Sequence, residues 1–501
     1  MFRAPEPARQ TGASAAKGGR RLSGRPCWNF AKGQCVFGDA CAYLHDTVSS
    51  DSSRGLRPGV ERSDETTSTS GRDGAVDEPR VPLRYFTHKS RAQLGADPGR
   101  SLLARVLERD GVFEPTRDVS RCRLFWGCAY PTGQLLANLP PDAFVNHFPG
   151  TTVITHKHTL AMMLRRHPEG DAVAPRTFVL PAEANSFAAF DADDAAAFDD
   201  DDDANGIERG AGWIVKRAVG GEGRGTVVTR TAREALEQTR RADGGVDGRT
   251  DTWVAQRYVR DPLTLLGRKV DLRAYVLLTR WDPGSDDGAR TRGYVHRDGL
   301  VRFAAAPWDP ADVSSLAVHL TNNAAATARI HEGVGHASDM SDTSDTWDPD
   351  AHFKRNWSFE TLASELDAEL GAGSYERVWD GVRRCARAAL GSLPRRGDWG
   401  AQGVPSGAEG AGDDGRGLRR FELLGLDLLV DSRLRVWLLE VNSAPTLAAG
   451  TKLGGRVSRT HHCVKAGLLA DAMNLLGVGL EDAGGAEAEL ERAALGGFQL
   501  L

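Results

Sequence analysis

No apolar run in this sequence approaches the roughly 20 residues that a membrane-spanning helix needs, and the N-terminal MFRAPEPARQTG has no apolar core of the secretory type. Both absences predict a cytosolic chain without a membrane partner. A surplus of positive charge is missing too. The net charge is −5 over 501 residues, which excludes a general, charge-driven nucleic-acid binder. Nor is there a disulfide framework: of seven cysteines, three crowd into one short motif, while Cys122, Cys128, Cys385 and Cys463 are scattered. No repeat of fixed period is present. What remains, 40% hydrophobic and 26% charged residues, is the composition of a globular chain with room for two or three domains.

Composition shifts along the chain set the expected domains. Residues 1–24, rich in Ala, Gly, Arg and Ser, read as a disordered basic arm, and 47–82 as a disordered polar linker. From VPLRYFTHKS onward apolar segments recur, which predicts one large folded unit over 83–480, followed by a C-terminal tail, 481–501. Three low-complexity stretches interrupt that unit: the acidic FDADDAAAFDDDDDANG (190–206), GHASDMSDTSDTWDPD (335–350) and RRGDWGAQGVPSGAEGAGDDGRG (395–417). Poor in apolar side chains, they are expected to form surface loops. The acidic stretch could mimic an acidic substrate, but a solvated loop is the usual fate of a charge run.

Between arm and linker, CWNFAKGQCVFGDACAYLH places Cys27, Cys35, Cys41 and His45 at C-x7-C-x5-C-x3-H. Three thiolates and an imidazole make a closed tetrahedral Zn²⁺ site, and in a segment this short the metal supplies the folding energy that a core cannot. Phe30, Phe37 and Tyr43 interleave with the ligands. Residues 25–46 thus resemble the CCCH zinc fingers, which implies single-stranded RNA as a partner; a protein-binding or purely structural role stays open.

Near the other end, FELLGLDLLVDSRLRVWLLEVN (421–442) reads as two apolar strands joined by a polar turn. A turn centred on Arg433 and Leu434 sets Asp427 opposite Glu440, and Asn442 shares the Glu440 face. Two carboxylates held that close in an apolar sheet repel each other, and a divalent cation such as Mg²⁺ resolves the conflict. The alternative is an ordinary hairpin with its acids in water.

Upstream segments favour the metal. GWIVKRAVGGEGRGTVV sets Lys216 at a strand end before a glycine loop that includes Gly223 and Gly225, and glycines let backbone N–H groups approach phosphate oxygens. A strand over 253–259 follows, then one from about 268 to 278. On the latter, Lys269, Asp271, Arg273 and Tyr275 share one face and Val270, Leu272, Ala274 and Val276 the other. Arg302 ends an expected hairpin, and His319, Thr321 and Asn322 lie at an expected strand end. A lysine with a glycine loop, a cationic strand and a carboxylate pair, in that order, favour an ATP site.

PRTFVLP, WIVK with its glycine loop, QRYV with GRKVDLRAYVLL, HLTN, and FELLGLDLLVD with VWLLEVNSAPTL resemble, in that order, the tubulin–tyrosine ligase-like enzymes of the ATP-grasp superfamily. The resemblance covers about residues 83–478. It implies an α+β fold: an ATP-grasp ligase domain preceded by the small zinc-stabilised finger and disordered linkers. It further implies ATP and Mg²⁺ as cofactors and amide formation between a protein carboxylate and a free amino acid through an acyl phosphate. By that resemblance Lys216, with Gly223 and Gly225, contacts phosphates, and Gln256, Arg257, Tyr258 and Val259 line the adenine. Lys269, Asp271, Arg273 and Arg302 surround ribose, phosphates and incoming substrate. Thr321 and Asn322 belong to the same cleft, and Asp427, Glu440 and Asn442 hold Mg²⁺. Loss of Asp427 or Glu440 is then expected to abolish turnover and spare the fold. Arg217 stands where the family often has proline. Family members add tyrosine, glutamate or glycine to tubulin tails or other acidic proteins, with microtubules or cilia as the implied location. Two competing readings are an RNA-associated finger protein with an inactive ligase-like domain, and an ATP-grasp ligase for a small molecule.

Overall fold

A computed structural model describes residues 23–26, 43–44, 82–88, 102–109, 111–198, 211–220, 223, 225–242, 251–284, 291–321, 357–395, 398, 417–448, 458–478 and 495–501. The chain divides into two units, Met1–Asp77 and Glu78–Leu501. In the first, the strand Ser23–Pro26 pairs in parallel with Tyr43–Leu44. Cys27, Cys35, Cys41 and His45 lie outside the described residues.

The second unit carries three sheets. Its N-terminal sheet is parallel throughout: β1 (Leu83–Thr87), β2 (Phe113–Pro115), β3 (Leu124–Trp126) and β4 (Phe144–Val145), with Arg419–Arg420 joining beside β4. The middle sheet is antiparallel, in the order β5 (Thr177–Leu180), β8 (Trp253–Arg257), β6 (Trp213–Arg217), β7 (Val227–Thr229). Strand alternation splits its residues between two faces. Phe178, Trp213, Val215, Trp253 and Ala255 pack against the helices α2 (Ala184–Phe198) and α3 (Ala232–Ala242). Thr177, Lys216 and Gln256 lie on the other face.

Helix α2 corrects the expectation for the acidic stretch, because its first residues, 190–198, continue the helix instead of looping out. Phe190 packs at an angle against the rings of Phe178 and Trp213. Asp191 accepts from Trp213 Nε1 at 2.6 Å and from the Ala232 N–H that opens α3 at 2.7 Å. Asp194 pairs with Arg257. Acids with such partners are structural, and composition alone hid them.

The largest sheet is built on one long strand, β9 (Arg268–Trp281). Along one edge lie β10 (Thr291–His296), paired with 276–281, and β11 (Leu300–Phe303), paired with 270–273. The expected hairpin is therefore two consecutive strands on the same edge of β9. Gly299 makes that step possible, since a Cβ there would sit 2.6 Å from the Arg273 carbonyl oxygen. Along the other edge runs β12 (Glu422–Val430), then β13 (Val436–Asn442), all antiparallel. Val270, Leu272, Ala274, Val276 and Leu278 pack on α4 (Phe359–Leu370) and α5 (Ser374–Gly391). Tyr275, Leu277 and Leu423 pack on α6 (Arg459–Leu475). Both faces being covered, β12 is buried at all nine positions, and a carboxylate on it must find partners inside the protein.

The tail expectation also fails for its last residues. Phe498–Leu500 forms β14, paired with β10. His296 Nε2 lies 3.2 Å from Asp471 Oδ2, and the Gly497 N–H donates to the same oxygen at 2.9 Å. Likewise, the segment before Thr321 is one helical turn, Leu316–His319, and not a strand end.

Candidate active site

The 421–442 hairpin brings Asp427 opposite Glu440 and Gly425 opposite Asn442. The route differs from a simple turn. Val430 pairs with Val436 and Leu428 with Leu438, so the turn centres on Arg433, and a bulge at Leu439 then restores the Asp427–Glu440 register. Bulges re-aim side chains, and this one sits at the carboxylate pair. In the turn, Leu434 adopts the left-handed conformation at φ 62°. The Asp431 carboxylate supports it by accepting the N–H groups of Arg433 and Arg435, each at 2.9 Å.

Three strands converge on Asp427. Arg273, opposite it on β9, donates through Nε (2.5 Å) and Nη2 (3.1 Å), a two-pronged contact. Gly425 leaves room for it, since a Cβ there would lie 3.2 Å from Arg273 Cδ. Arg302 on β11 reaches Asp427 Oδ2 at 3.2 Å while gripping Asp271 through Nε and Nη2, both at 2.6 Å. Thr321 Oγ1 donates to Asp271. Burial alone would raise the Asp427 carboxyl pKa, but the Arg273 and Arg302 guanidiniums hold it well below the usual carboxylate range.

Beyond the carboxylates lie three lysines. Lys157, the first residue of α1 (Lys157–Arg166), is 3.1 Å from Glu440 Oε2 and donates to the Gly220 carbonyl at 2.8 Å, joining β13 to the glycine loop. Lys216 donates to Gln256 Oε1 at 2.9 Å, and Gln256 Nε2 donates to Thr177 Oγ1 at 3.2 Å. Lys269 donates to the Tyr258 hydroxyl at 2.8 Å, which lies 2.7 Å from His319 Nδ1. Burial, opposed by Glu440, lowers the Lys216 ammonium pKa to about 8; burial and the Lys216 charge bring Lys269 to about 7. A cleft opens beside them, walled by Leu160, Leu164, Val254 and Leu438, with Lys157, Lys216, Gln256 and Thr177 at its polar end.

The other expected site residues are placed as follows. Arg257 turns to the opposite face of β8, over the Trp213 ring, and its N–H donates to Arg176. The Tyr258 N–H donates to Gly212, and Val259 follows, partly buried. Gly223 and Gly225 have φ of 73° and 70°, a left-handed backbone that glycine adopts at no steric cost. Arg217, at the proline position, pairs with Asp251 and stacks on Trp253. Asn322 lies outside the described residues. Asn442 Nδ2 donates to Gly425 O at 3.4 Å, which leaves its amide oxygen as the ligand-capable atom. Lys157 was not singled out in the sequence. Its one local signal is a cation in a helix's first turn, the wrong end for the helix dipole.

Asp427, Glu440 and the Asn442 oxygen are hard donors suited to Mg²⁺. Among the described residues no three His, Cys, Asp or Glu gather into a metal cage. Two carboxylates and one amide oxygen on paired strands suit an ion that shares its coordination with phosphate. Carboxylates beside a lysine-bearing cleft on antiparallel sheets fit the ATP-grasp-like class of fold. The model of the tubulin-tyrosine ligase family matches residues 136–378 and 416–474, more than half of the sequence, and the chain belongs to that family. Residues 25–46 match a CCCH-type zinc finger. Tubulin polyglutamylase TTLL7 of Mus musculus is 25% identical over 397 residues, covering 75% of this chain and 36% of its own length. Tubulin polyglutamylase TTLL13 of Homo sapiens is 26% identical over 343 residues (66% and 34%), and probable tubulin polyglutamylase TTLL2 of Mus musculus 28% over 386 residues (74% and 58%). The chain thus spans about a third to just over half the length of these relatives.

The geometry separates two acids that the sequence treated alike. Asp427→Asn leaves two largely buried guanidiniums without their shared counter-charge and should cost about 3–5 kcal/mol of stability. Glu440→Gln, which loses one lysine contact, should cost about 1 kcal/mol or less. Urea unfolding of both variants checks this, and equal losses would refute the shared-carboxylate account.

Proposed function

We propose that this chain is an ATP-dependent ligase that joins a protein carboxylate, on a tubulin tail or another acidic tail, to the amine of a free amino acid. The observation that carries the reading is the cross-strand pair Asp427–Glu440 with Lys157 on Glu440 and Lys216 in charge range of both acids, the two lysines also lining the cleft. Glutamate is the amino acid of choice among glutamate, glycine and tyrosine, because the named relatives are polyglutamylases. A cytoplasmic or cytoskeletal location follows from such a substrate. Among the described residues no helix is long and apolar enough to cross a membrane.

A carboxylate is a poor acyl donor. Its oxygen attacks the γ-phosphorus of ATP, ADP leaves, and the amine nitrogen then attacks the acyl phosphate carbon, expelling phosphate and losing a proton. Lys216 and Lys269 neutralise the nucleotide phosphates. Gln256 orients the Lys216 ammonium, and the backbone of 256–259 borders the adenine. Asp427, Glu440 and Asn442 would hold Mg²⁺, which when bound offsets charge on the phosphoryl group. Arg273 and Arg302 fix Asp427 and present positive charge to the reacting carboxylate. Cys27, Cys35, Cys41 and His45 would hold Zn²⁺ in a separate module over 25–46, with single-stranded RNA as its expected partner.

In the test, purified tubulin is incubated with the chain, Mg·ATP and, separately, glutamate, glycine or tyrosine, then weighed by intact-mass spectrometry. One amino-acid increment, absent with Glu440→Gln, is expected in the glutamate tube. No increment in any tube, with ATP turnover driven by free metabolites or RNA bound without turnover, would favour the competing readings.

Lysines lowered to about 8 and 7 are partly neutral in the free protein near those pH values. Phosphate raises their pKa, so ATP binding should take up protons and weaken as pH climbs from about 7 to 9. Calorimetry in buffers of different ionisation enthalpy reads this directly. Proton release on binding would contradict it.

A further inference from the structure

Lys465 has no part in the site described so far. It lies on α6 with 3% of its surface exposed. Its ammonium has three N–H donors, and one goes to the Ala448 carbonyl at 2.6 Å. Among the described residues no carboxylate pairs with it. Its helix packs on the face of β9 that carries Tyr275 and, two residues before it, Arg273, and the charges that bear on it are those of Arg273 and Arg302, both of its own sign.

Those arginines are tied to Asp271 and Asp427, so three cations share two acids. The nucleotide-side lysines feel different neighbours. Lys216 responds to Glu440, Lys157 and Asp427, and Lys269 to Lys216 and Asp271. By their neighbours the cations fall into two groups: Lys157, Lys216 and Lys269 in one, and Arg273, Arg302 and Lys465 in the other. Phosphate accounts for the first group. The second gathers more cationic side chains than acids out of water, a setting that an added anion would favour.

We propose that Lys465, together with Arg273 and Arg302, binds a substrate carboxylate in this second cationic group, apart from the nucleotide lysines. The proposal rests on the ligase reading above. The carboxylate belongs either to the free amino acid or to the acidic acceptor chain, and the chemistry of recognition is the same.

KM values for L-glutamate, for an acidic acceptor peptide and for ATP are measured on the full chain and on Lys465→Met and Lys465→Arg. Lys465→Met should raise the KM for glutamate or for the peptide on the order of 10- to 100-fold, the worth of a hydrogen bond to a charged group. The KM for ATP should stay within about twofold. Lys465→Arg, which keeps the charge, should recover most of the loss. Whichever KM rises identifies the source of the carboxylate. Unchanged values for both substrates overturn the proposal, as does an equal rise for ATP.

A second measurement needs no turnover. If the ammonium is a functional charge without a counter-ion, ligand-free Lys465→Met should be at least as stable to urea as the parent protein. A clearly less stable variant means that Lys465 is a structural tether for Ala448, and overturns the proposal. Absence of any amino-acid transfer by the parent chain, with Lys465→Met stable, would instead count against the ligase reading.

Discussion

A single carboxylate held by two guanidiniums from different strands fixes the centre of this protein. Asp427 on β12 is gripped by Arg273 of β9 and reached by Arg302 of β11. Because these contacts are charge-assisted and largely out of water, they fix the relative register of three strands. A one-residue slip of β12 would turn Asp427 to the opposite face, into the layer formed by Val270 and Leu272. Gly425 and the Leu439 bulge belong to the same constraint. The first lets Arg273 lie against its neighbour strand, and the second sets Glu440 opposite Asp427.

The lysines around the carboxylates are held more lightly than the arginines. Lys157 occupies Glu440, Lys216 rests on Gln256, and Lys269 rests on Tyr258. Each is held by a point charge through one or two single-pronged contacts. The guanidinium contacts on Asp427 and Asp271 are two-pronged. Arginine thus serves as the frame and lysine as the more lightly held part, a division that follows from the rigid fork of one side chain and the single point charge of the other.

How much of this was legible depends on whether the chemistry sat in one local segment. The Asp427–Glu440 pairing could be read because strand period and turn residues lie within 22 residues, although the turn is centred half a residue earlier and a bulge corrects it. The alternation along 269–275 was equally plain, and the structure extends that strand to Trp281. Lys157 and Lys465 could not be read in the same way. They come from helices far apart in sequence, and only the tertiary fold brings them to Glu440 and to the arginines. Composition misled at 190–198, where Asp191 and Asp194 are hydrogen-bonded or paired and a phenylalanine is packed. It misled again at the C-terminus, where Phe498 is buried beside His296.

The central claim is that Glu440, opposite Asp427, serves a divalent ion shared with phosphate. Titrating ATP into the protein with and without Mg²⁺, for the parent chain and for Glu440→Gln, measures that coupling directly. The account predicts that Mg²⁺ tightens ATP binding by about tenfold or more in the parent chain and far less in the variant. An equal gain from Mg²⁺ in both proteins would contradict it.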